Sequence, residues 1–408
     1  MRAPSDSVTE RKPETILREV SAAVALVEGE AGVRDVLGVV ARLEPVGVRR
    51  ISRAAELPVP IVAAVCAELR KRGVIARERP VQLTPSGRSL FGFDTAAFPR
   101  SGSWSLEPAG DPIQQLDEVA DQLAEAAAAA PAARVEIDQA HCTVATKLRR
   151  VLLMHESGAL LNRRLVLLGD DDLISVTIHH LARHFGFGGR IGELVVVDID
   201  AEVLEFCRAQ LADAAFPIRF FHHDLRRPLP KELIGAADTI LTDPPYTPQA
   251  AELFLSRAAS ALASRSGGNT FFCFGMKRPQ ASLRIQSAIV SMGFVVRQLI
   301  RNFNEYLGAG ALGGSSHLYH LTSTNQTKPL VDTIYSGRLY TGERVPARRY
   351  RCAACGAIEE VGPHERLRTI AELQAQRCPA CGGRAFRPLP RSTSGSYSPH
   401  VKDGSDTL

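Results

Sequence analysis

Between residues 164 and 274 the chain alternates short apolar, β-rich runs with helical patterns. The runs are Arg164–Leu168, Glu193–Val197, Ile218–His222, Thr239–Thr242 and Thr270–Phe274, and two more lie near Val295–Ile300 and His317–Thr322. Such alternation predicts βαβ units and a mostly parallel sheet. Ligands of these sheets bind beyond the carboxyl ends of the strands. The predicted fold class is therefore α/β, with the chemistry at that edge.

The length of 408 residues and an apolar content of 45% indicate two or three domains with a sizeable core. No apolar run approaches the roughly 20 residues of a membrane span, and the N-terminus is polar, so a cytoplasmic protein is expected. The predicted divisions are a disordered segment 1–12, a winged helix 13–95, a linker (102–110) and helix (116–130) within 96–131, a catalytic domain 132–341, a zinc ribbon 342–390 and a disordered tail 391–408.

The winged-helix prediction comes from two short helical patterns followed by a two-stranded pattern. The helices are expected at Val46–Leu57 and Ile61–Arg72, and the wing at Val74–Leu83. Residues 42–88 carry nine Arg and one Lys against four Glu, a net +6 that would suit DNA. The second helix carries few base-reading side chains, so a dimerisation or substrate-lid module is the favoured interpretation.

An acidic loop, Gly169-Asp170-Asp171-Asp172, directly follows the first apolar run. Nucleotide domains usually place glycines there, whose N–H groups approach a phosphate or carboxylate. Three carboxylates would repel an anion, so the loop predicts a donor that is cationic at its reactive end. Decarboxylated S-adenosylmethionine, with a sulfonium and an ammonium, fits. The alternative for any single aspartate of the loop is that it caps the N-terminus of the following helix.

Further acidic residues follow the second and third runs. Asp198 is well placed to accept hydrogen bonds from ribose hydroxyls, whereas Asp200 either shares that role or caps the next helix. Asp224 is placed to accept a bond from an adenine amine. These residues, with Gly169, form the predicted donor-binding set.

The fourth run ends in Thr242-Asp243-Pro244-Pro245-Tyr246-Thr247. Proline has a backbone carbonyl but no backbone N–H. Asp243 and the carbonyl of Pro244 or Pro245 can therefore together hold an amine nucleophile, and Tyr246 lines the pocket. The motif resembles the DPPY motif of amino-group DNA and RNA methyltransferases. A plain turn is the alternative interpretation.

Taken together, these motifs resemble the branched-chain polyamine synthase family, with a Rossmann-like methyltransferase-type sheet. Besides the acidic loop, Asp198-Ile199-Asp200 and TDPPYT, the resemblance rests on Glu136-Ile137-Asp138-Gln139, Thr143 and Arg149-Arg150-Val151-Leu152. It implies transfer of the aminopropyl group of decarboxylated S-adenosylmethionine to a polyamine such as spermidine, releasing methylthioadenosine. A sulfonium is a good leaving group, so the site needs an oriented, deprotonated amine. Asp170, Asp171, Asp172, Asp243 and Glu305 are the candidates to hold ammonium groups, and one of the aspartates to accept the proton.

Glu305 lies in a glycine-containing segment, Asn302–His320, that predicts a mobile loop closing over the acceptor. An ordinary solvated connection is the alternative.

The last motif is a pair of CxxC knuckles, Cys352/Cys355 and Cys378/Cys381, each followed by glycine. Four thiolates at this spacing predict a tetrahedral structural zinc site. A pair of disulfides is the alternative, disfavoured in a reducing compartment. Cys66, Cys142, Cys207 and Cys273 are scattered and suit buried thiols.

Two other reactions compete with aminopropyl transfer. One is methylation of an amino group on nucleic acid, favoured by DPPY and opposed by the acidic loop. The other is transfer of a 3-amino-3-carboxypropyl group from an intact donor. A DNA-binding regulator with a decayed catalytic domain is a third class, and it conflicts with the many site carboxylates. The expected partners are a polyamine and a second copy of the chain; nucleic acid is not favoured.

Overall fold

The computed structural model describes residues 12–93, 116–262, 267–275, 278–307, 314–340, 348–361, 366–367 and 369–389. The predicted linker 102–110, the predicted tail 391–408 and residues 1–11 of the predicted disordered start lie outside this part. Contacts divide the chain into two compact units, Met1–Tyr340 and Thr341–Leu408. None of the described helices has the length and apolar content to cross a membrane.

The first unit contains eleven labelled helices and seven strands within its described ranges. The helices are α1 Pro13–Ala23, α2 Gly29–Leu43, α3 Val48–Ala55, α4 Val59–Lys71, α5 Pro85–Leu90, α6 Asp117–Ala129, α7 Val144–Glu156, α8 Ile174–Phe185, α9 Ala201–Gln210, α10 Pro248–Ala261 and α11 Pro279–Ser291. The strands are β1 Arg164–Leu168, β2 Glu193–Asp198, β3 Ile218–His222, β4 Thr239–Thr242, β5 Asn269–Gly275, β6 Phe294–Glu305 and β7 Ser315–Ser323.

These seven strands form one sheet in the order β3-β2-β1-β4-β5-β7-β6. All neighbours pair in parallel except β7, which is antiparallel to β5 and β6. The predicted α/β class with a mostly parallel sheet is confirmed. Strand order reverses between β1 and β4, and their ends Leu168 and Thr242 are paired. The crevice at such a reversal is where open α/β sheets bind ligands.

Apolar side chains cover both faces of the sheet. The core on one face is built with α6, α7, α8 and α9, and the core on the other with α10 and α11. Leu116, Val119 and Leu123 of the predicted 116–130 helix lie in the first of these cores. This helix therefore packs as part of the sheet-containing domain.

A separate core holds α1 to α5 together. The predicted helices at 46–57 and 61–72 correspond to α3 and α4. α3 is shorter than predicted at both ends, whereas α4 begins two residues earlier, at Val59, and ends one residue earlier, at Lys71. In place of a two-stranded wing, the structure has isolated bridges that join Val46 to Val81 and Ile75 to Leu83. The assignment of this domain as a winged helix stays a prediction.

The prediction of a mobile loop over Asn302–His320 is wrong for most of its length. Residues 302–305 belong to β6 and residues 315–320 to β7, which pair as an antiparallel hairpin. The glycines of this segment, at positions 308, 310, 313 and 314, lie between the two strands in sequence, so the loop that they predict was drawn too wide and included strand residues on both sides. Residues 308–313 lie outside the described residues.

The second unit is a small three-stranded sheet with one helix. Its strands β8 Arg348–Cys352, β9 Ile358–Val361 and β10 Phe386–Pro388 are antiparallel in the order β10-β8-β9, and its helix is α12 Ile370–Gln376. Its buried core contains Val361, Leu367 and Leu373. A core of this size is too small to stabilise a fold without a further constraint.

Candidate active site

Gly169 opens the acidic loop at the carboxyl end of β1. Its φ of +86° lies in the region that favours glycine. Its N–H donates to Val197 at 2.8 Å, and a methyl group built on its Cα would meet nothing within 4 Å. The loop therefore turns sharply beside β2 and leaves open space at the predicted donor site.

Asp170 is buried and serves as a cap of α8. Its carboxylate accepts the N–H of Ile174 at 2.7 Å and of Ser175 at 3.3 Å. Burial raises the pKa of Asp170 to about 7, against the opposing effect of these hydrogen bonds. The alternative role of helix cap thus describes this aspartate, and its carboxylate is directed into the protein.

Asp172 is buried as well, and its carboxylate is satisfied by protein groups. Oδ1 accepts the N–H of Cys142 at 2.6 Å, and Oδ2 accepts from Arg150 Nη1 at 2.6 Å. Burial alone would raise the pKa of Asp172, but Arg150 and Lys147 outweigh it and lower that pKa. Asp172 is therefore held ionised as the partner of a buried cation.

That cation, Arg150 on α7, is the centre of the site. Its guanidinium is fully buried and donates to Asn304 Oδ1 at 2.8 Å, to Asp172, and to Asp243 Oδ2 at 2.6 Å. A fourth bond reaches the hydroxyl of Tyr306 at 3.1 Å. One side chain thus ties together the loops after β1 and β4 and the end of β6.

Asp243 also accepts a hydrogen bond from the hydroxyl of Tyr306, 2.5 Å from Oδ2. Within the described residues both side-chain bonds of Asp243 go to Oδ2, which leaves Oδ1 for a ligand. Burial raises the pKa of Asp243 in spite of Arg150, and the nearby Asp172 carboxylate raises it further. A carboxylate so placed is suited to hold an amine and to exchange a proton with it.

The two prolines after Asp243 differ in their carbonyls. The Pro245 carbonyl accepts the N–H of Thr247 at 2.7 Å, whereas no donor among the described residues reaches the Pro244 carbonyl. Tyr246 packs its ring on Phe274 and Tyr306, with centroids 5.4 Å and 6.1 Å away. A methyl group on Gly275 would lie 2.6 Å from that ring, so β5 must end in glycine for Tyr246 to line the crevice.

The predicted donor-binding acids occupy different environments. Asp198 is buried at the end of β2, where its two oxygens accept the N–H groups of Asp170 and Asp200 at 2.8 Å each. Asp200 caps α9 through the N–H of Glu202 at 3.0 Å. Asp224 is paired with Arg226 at 2.9 Å, so part of its hydrogen-bonding capacity is already used.

Asp171 is the member of the acidic loop that stays available. It is partly exposed, and none of the described residues donates a hydrogen bond to its carboxylate. Burial, together with Asp172, Asp198 and Asp243, raises the pKa of Asp171 well above its ordinary value. Glu305 has an exposed side chain, and its backbone bonds Thr143 and Thr146 on the first turn of α7.

Sequence reasoning did not assign Arg150, Lys147, Asn304 or Tyr306 to the site. Lys147 is buried and donates to the Asp172 carbonyl at 2.6 Å. A signal was present, since Lys147 and Arg150 are three residues apart on a helix whose neighbouring positions Leu148, Val151 and Leu152 belong to the core. Charged residues at core positions of a helix are rarely buried without a partner.

In the second unit, the four CxxC cysteines come together. Their sulfur atoms all lie within 4.8 Å of one another, and the Cys352–Cys381 and Cys355–Cys378 distances are 3.6 Å. These distances exceed a disulfide bond and are close to the ~3.8 Å that tetrahedral zinc with ~2.3 Å bonds to sulfur requires. Hydrogen bonds from the backbone of Cys355 and Ala354 lower the pKa of Cys352 to about 7. The residues present thus fit a metal site, whereas Cys66, Cys142, Cys207 and Cys273 are buried thiols as predicted.

The geometry agrees with an independent comparison. A family model described as the branched-chain polyamine synthase A C-terminal domain matches residues 118–340, more than half of the chain. The chain belongs to the branched-chain polyamine synthase family. The matched range begins in α6 and ends where the first unit ends, so it contains every residue of the site around Arg150.

Relatives extend this family assignment. The N(4)-bis(aminopropyl)spermidine synthase of Thermococcus kodakarensis is 33% identical over 273 residues, 64% of this chain and 74% of that protein. An uncharacterized protein of Methanocaldococcus jannaschii is 32% identical over 384 residues, 92% of this chain and 93% of its own. A match of that extent necessarily includes part of the segment after residue 340.

The fold is shared with a solved member of the branched-chain polyamine synthase family. The enzyme from Thermus thermophilus superposes with a TM-score of 0.50 and 22% identity, over 80% of this chain and 96% of that one.

We expect Arg150→Met to lower the free energy of unfolding by about 3–5 kcal/mol, because it leaves two buried carboxylates without their cation. Urea unfolding followed by circular dichroism measures the loss. Arg149→Met is the matched control, since the adjacent arginine makes no ion pair within the described residues and its loss should change stability little. Equal stability of the two variants would contradict the central role of Arg150.

Proposed function

We propose that this member of the family transfers the aminopropyl group of decarboxylated S-adenosylmethionine to an amine of a linear polyamine such as spermidine, releasing methylthioadenosine. The observation that carries the proposal is the charge of the crevice between β1 and β4. Five carboxylates, Asp170, Asp171, Asp172, Asp198 and Asp243, share this edge with two cations, Lys147 and Arg150.

The excess of negative charge favours cationic ligands. Because Arg150 is saturated by protein acceptors and Lys147 by a carbonyl, neither is free to bind a donor carboxylate. An intact S-adenosylmethionine would place its carboxylate against Asp171 without a compensating cation. A decarboxylated donor avoids this repulsion, and a polycationic acceptor is attracted by the same charges.

The donor's nucleoside belongs at the ends of β1 and β2. Asp198 lies beside Gly169 and is the carboxylate we assign to the ribose hydroxyls, with Asp200 holding the following turn by capping α9. Asp224 follows β3 on the same edge. We assign it to a hydrogen bond with the adenine amine, which it accepts while it remains paired with Arg226. The sulfonium then faces the Asp171 and Asp243 side of the crevice.

The acceptor amine lies between Asp243, the Pro244 carbonyl and Asp171. Arg150 and Tyr306 fix Oδ2 of Asp243, so Oδ1 and the carbonyl can orient the attacking nitrogen. The nitrogen lone pair forms the new C–N bond at the propyl carbon while the C–S bond breaks, and methylthioadenosine leaves as a neutral thioether. The proton of the nitrogen passes to the Asp171 carboxylate. The cationic donor and acceptor keep this carboxylate ionised until the transfer, and its acidic neighbours then favour the protonated form.

Relatives support this assignment. Two of them, from Thermococcus kodakarensis and Methanocaldococcus jannaschii, are named N(4)-bis(aminopropyl)spermidine synthases. The solved Thermus thermophilus enzyme is in complex with N4-aminopropylspermidine and 5'-methylthioadenosine. We extend the same donor class and acceptor class to this chain.

The test is incubation of the purified protein with spermidine and either decarboxylated or intact S-adenosylmethionine, with mass spectrometry of both products. We expect methylthioadenosine and an aminopropylated amine from the decarboxylated donor only. S-adenosylhomocysteine with a methylated product would establish the methyltransferase alternative. Methylthioadenosine formed from the intact donor would indicate 3-amino-3-carboxypropyl transfer.

We expect Asp171→Asn to lower kcat by about 10²-fold or more while the thermal midpoint stays near that of the wild type, because the amide cannot accept the proton and has no protein partner to lose. Asp172→Asn is the contrasting variant: it should lose stability, since it removes the partner of Arg150. Initial rates and thermal unfolding on the same samples separate the two effects. Wild-type kcat and KM in Asp171→Asn would exclude Asp171 from the reacting amine.

We propose further that the four cysteinates of the second unit hold one structural zinc ion. Zinc would supply the constraint that the small core around Leu373 lacks. We expect one zinc per chain by elemental analysis and its loss in the full-length Cys355→Ser/Cys381→Ser variant, together with faster amide exchange across residues 348–389. Transfer to spermidine should persist in this variant, because the acidic crevice contains none of these cysteines. If activity disappears while the first unit stays folded, the ribbon is part of the active site.

A further inference from the structure

A second cavity lies in the first unit, away from the acidic crevice. Its volume is about 830 Å³, and its walls come from α2, α3 and the amino-terminal edge of the sheet. Arg163 directly precedes β1 and Asn269 begins β5, so this cavity opens at the end of the sheet opposite to Asp171 and Asp243. It is therefore distinct from the proposed transferase site.

The charge of this cavity is opposite to that of the crevice. Six arginines line it, namely Arg34, Arg42, Arg88, Arg163, Arg190 and Arg297, against four acids. Three of the acids are used in ion pairs, Asp35 with Arg163 at 2.8 Å, Glu44 with Arg88 and Glu56 with Arg297. The fourth is Glu156. Two positive charges remain in excess on the wall.

Arg42 is the arginine that lacks a partner. It lies in the last turn of α2, and none of the described residues forms a hydrogen bond or an ion pair with its guanidinium. A methyl group on Gly158 would lie 3.1 Å from Arg42 Nη1, so the side chain is pressed against the turn that follows α7. Burial lowers the pKa of Arg42 to about 10, although Asp35 and Glu156 act in the opposite direction.

Arg42 is half-buried, and a cation that is partly removed from water without a partner is unfavourable, so proteins normally supply an anion for it. We propose that this cavity binds a small phosphate-bearing anion, with Arg42 as its principal ligand. The guanidinium offers parallel N–H donors that match phosphate oxygens. The volume is within the ~300–1,000 Å³ range typical of small-molecule sites. Free phosphate and a nucleoside monophosphate share this chemistry.

The experiment is isothermal titration of the full-length protein with inorganic phosphate and with AMP, in buffers matched in ionic strength with sodium chloride. Saturating methylthioadenosine is included so that the nucleoside site at β1 and β2 is filled. We expect binding to the wild type and at least about tenfold weaker binding to Arg42→Gln. Arg49→Gln is the matched control, because Arg49 is exposed on α3 and does not line the cavity. Arg42→Lys, which keeps the charge, should retain part of the affinity.

Tighter binding of AMP than of phosphate would identify a nucleotide ligand, and equal binding would show that the phosphate group alone is recognised. Failure of both probes to bind the wild type at millimolar concentration would overturn the proposal. So would unchanged affinity in Arg42→Gln. If that variant does not fold, Arg34→Gln provides the second test, since Arg34 lines the same wall and its guanidinium donates, within the described residues, only to the carbonyl of Asn162.

Discussion

The buried guanidinium of Arg150 determines the arrangement of the catalytic edge. A fully desolvated cation is tolerated only when its donors are satisfied, and here Asp172, Asp243, Asn304 and Tyr306 satisfy them. These partners come from three places in the chain, so the positions of the β1 loop, the β4 loop and the β6–β7 hairpin are fixed relative to one another. The orientation of Asp243 toward the crevice follows from this network.

The three adjacent aspartates of the acidic loop have different roles. Asp170 is turned inward to cap α8, Asp172 neutralises Arg150, and Asp171 between them faces the crevice. Because its neighbours are acidic and burial is substantial, the pKa of Asp171 is raised, and a bound ammonium group would relieve the repulsion. The carboxylates therefore repel one another in the unliganded crevice, and together they are complementary to a bound polycation.

Much of the fold could be predicted because its determinants are local. The apolar runs that became β1, β3 and β4 have the predicted bounds, and the two CxxC knuckles do bring four sulfurs together. The division of tasks in the acidic loop could not be predicted, since it depends on Arg150, which precedes Asp172 by 22 residues and Asp243 by 93. The strands predicted near Val295–Ile300 and His317–Thr322 are parts of β6 and β7, but residues 302–305 and 315–316 were assigned to a loop because of the glycines that lie between them in sequence. Asp224 appeared available in sequence, and its pairing with Arg226 two residues later was overlooked.

The spacing of Arg150's partners along the chain also bears on how the protein folds. Asp172 is close in sequence, but Asn304 lies 154 residues away, and contacts of such separation are costly to form because a long stretch of chain must be ordered first. During synthesis α7 and its arginine emerge long before the hairpin that completes their surroundings. Until the hairpin docks, this part of the core carries a charge that is only partly compensated and must stay hydrated. We therefore expect the catalytic edge to be among the last regions to exclude water, at the stage when the hairpin completes the sheet.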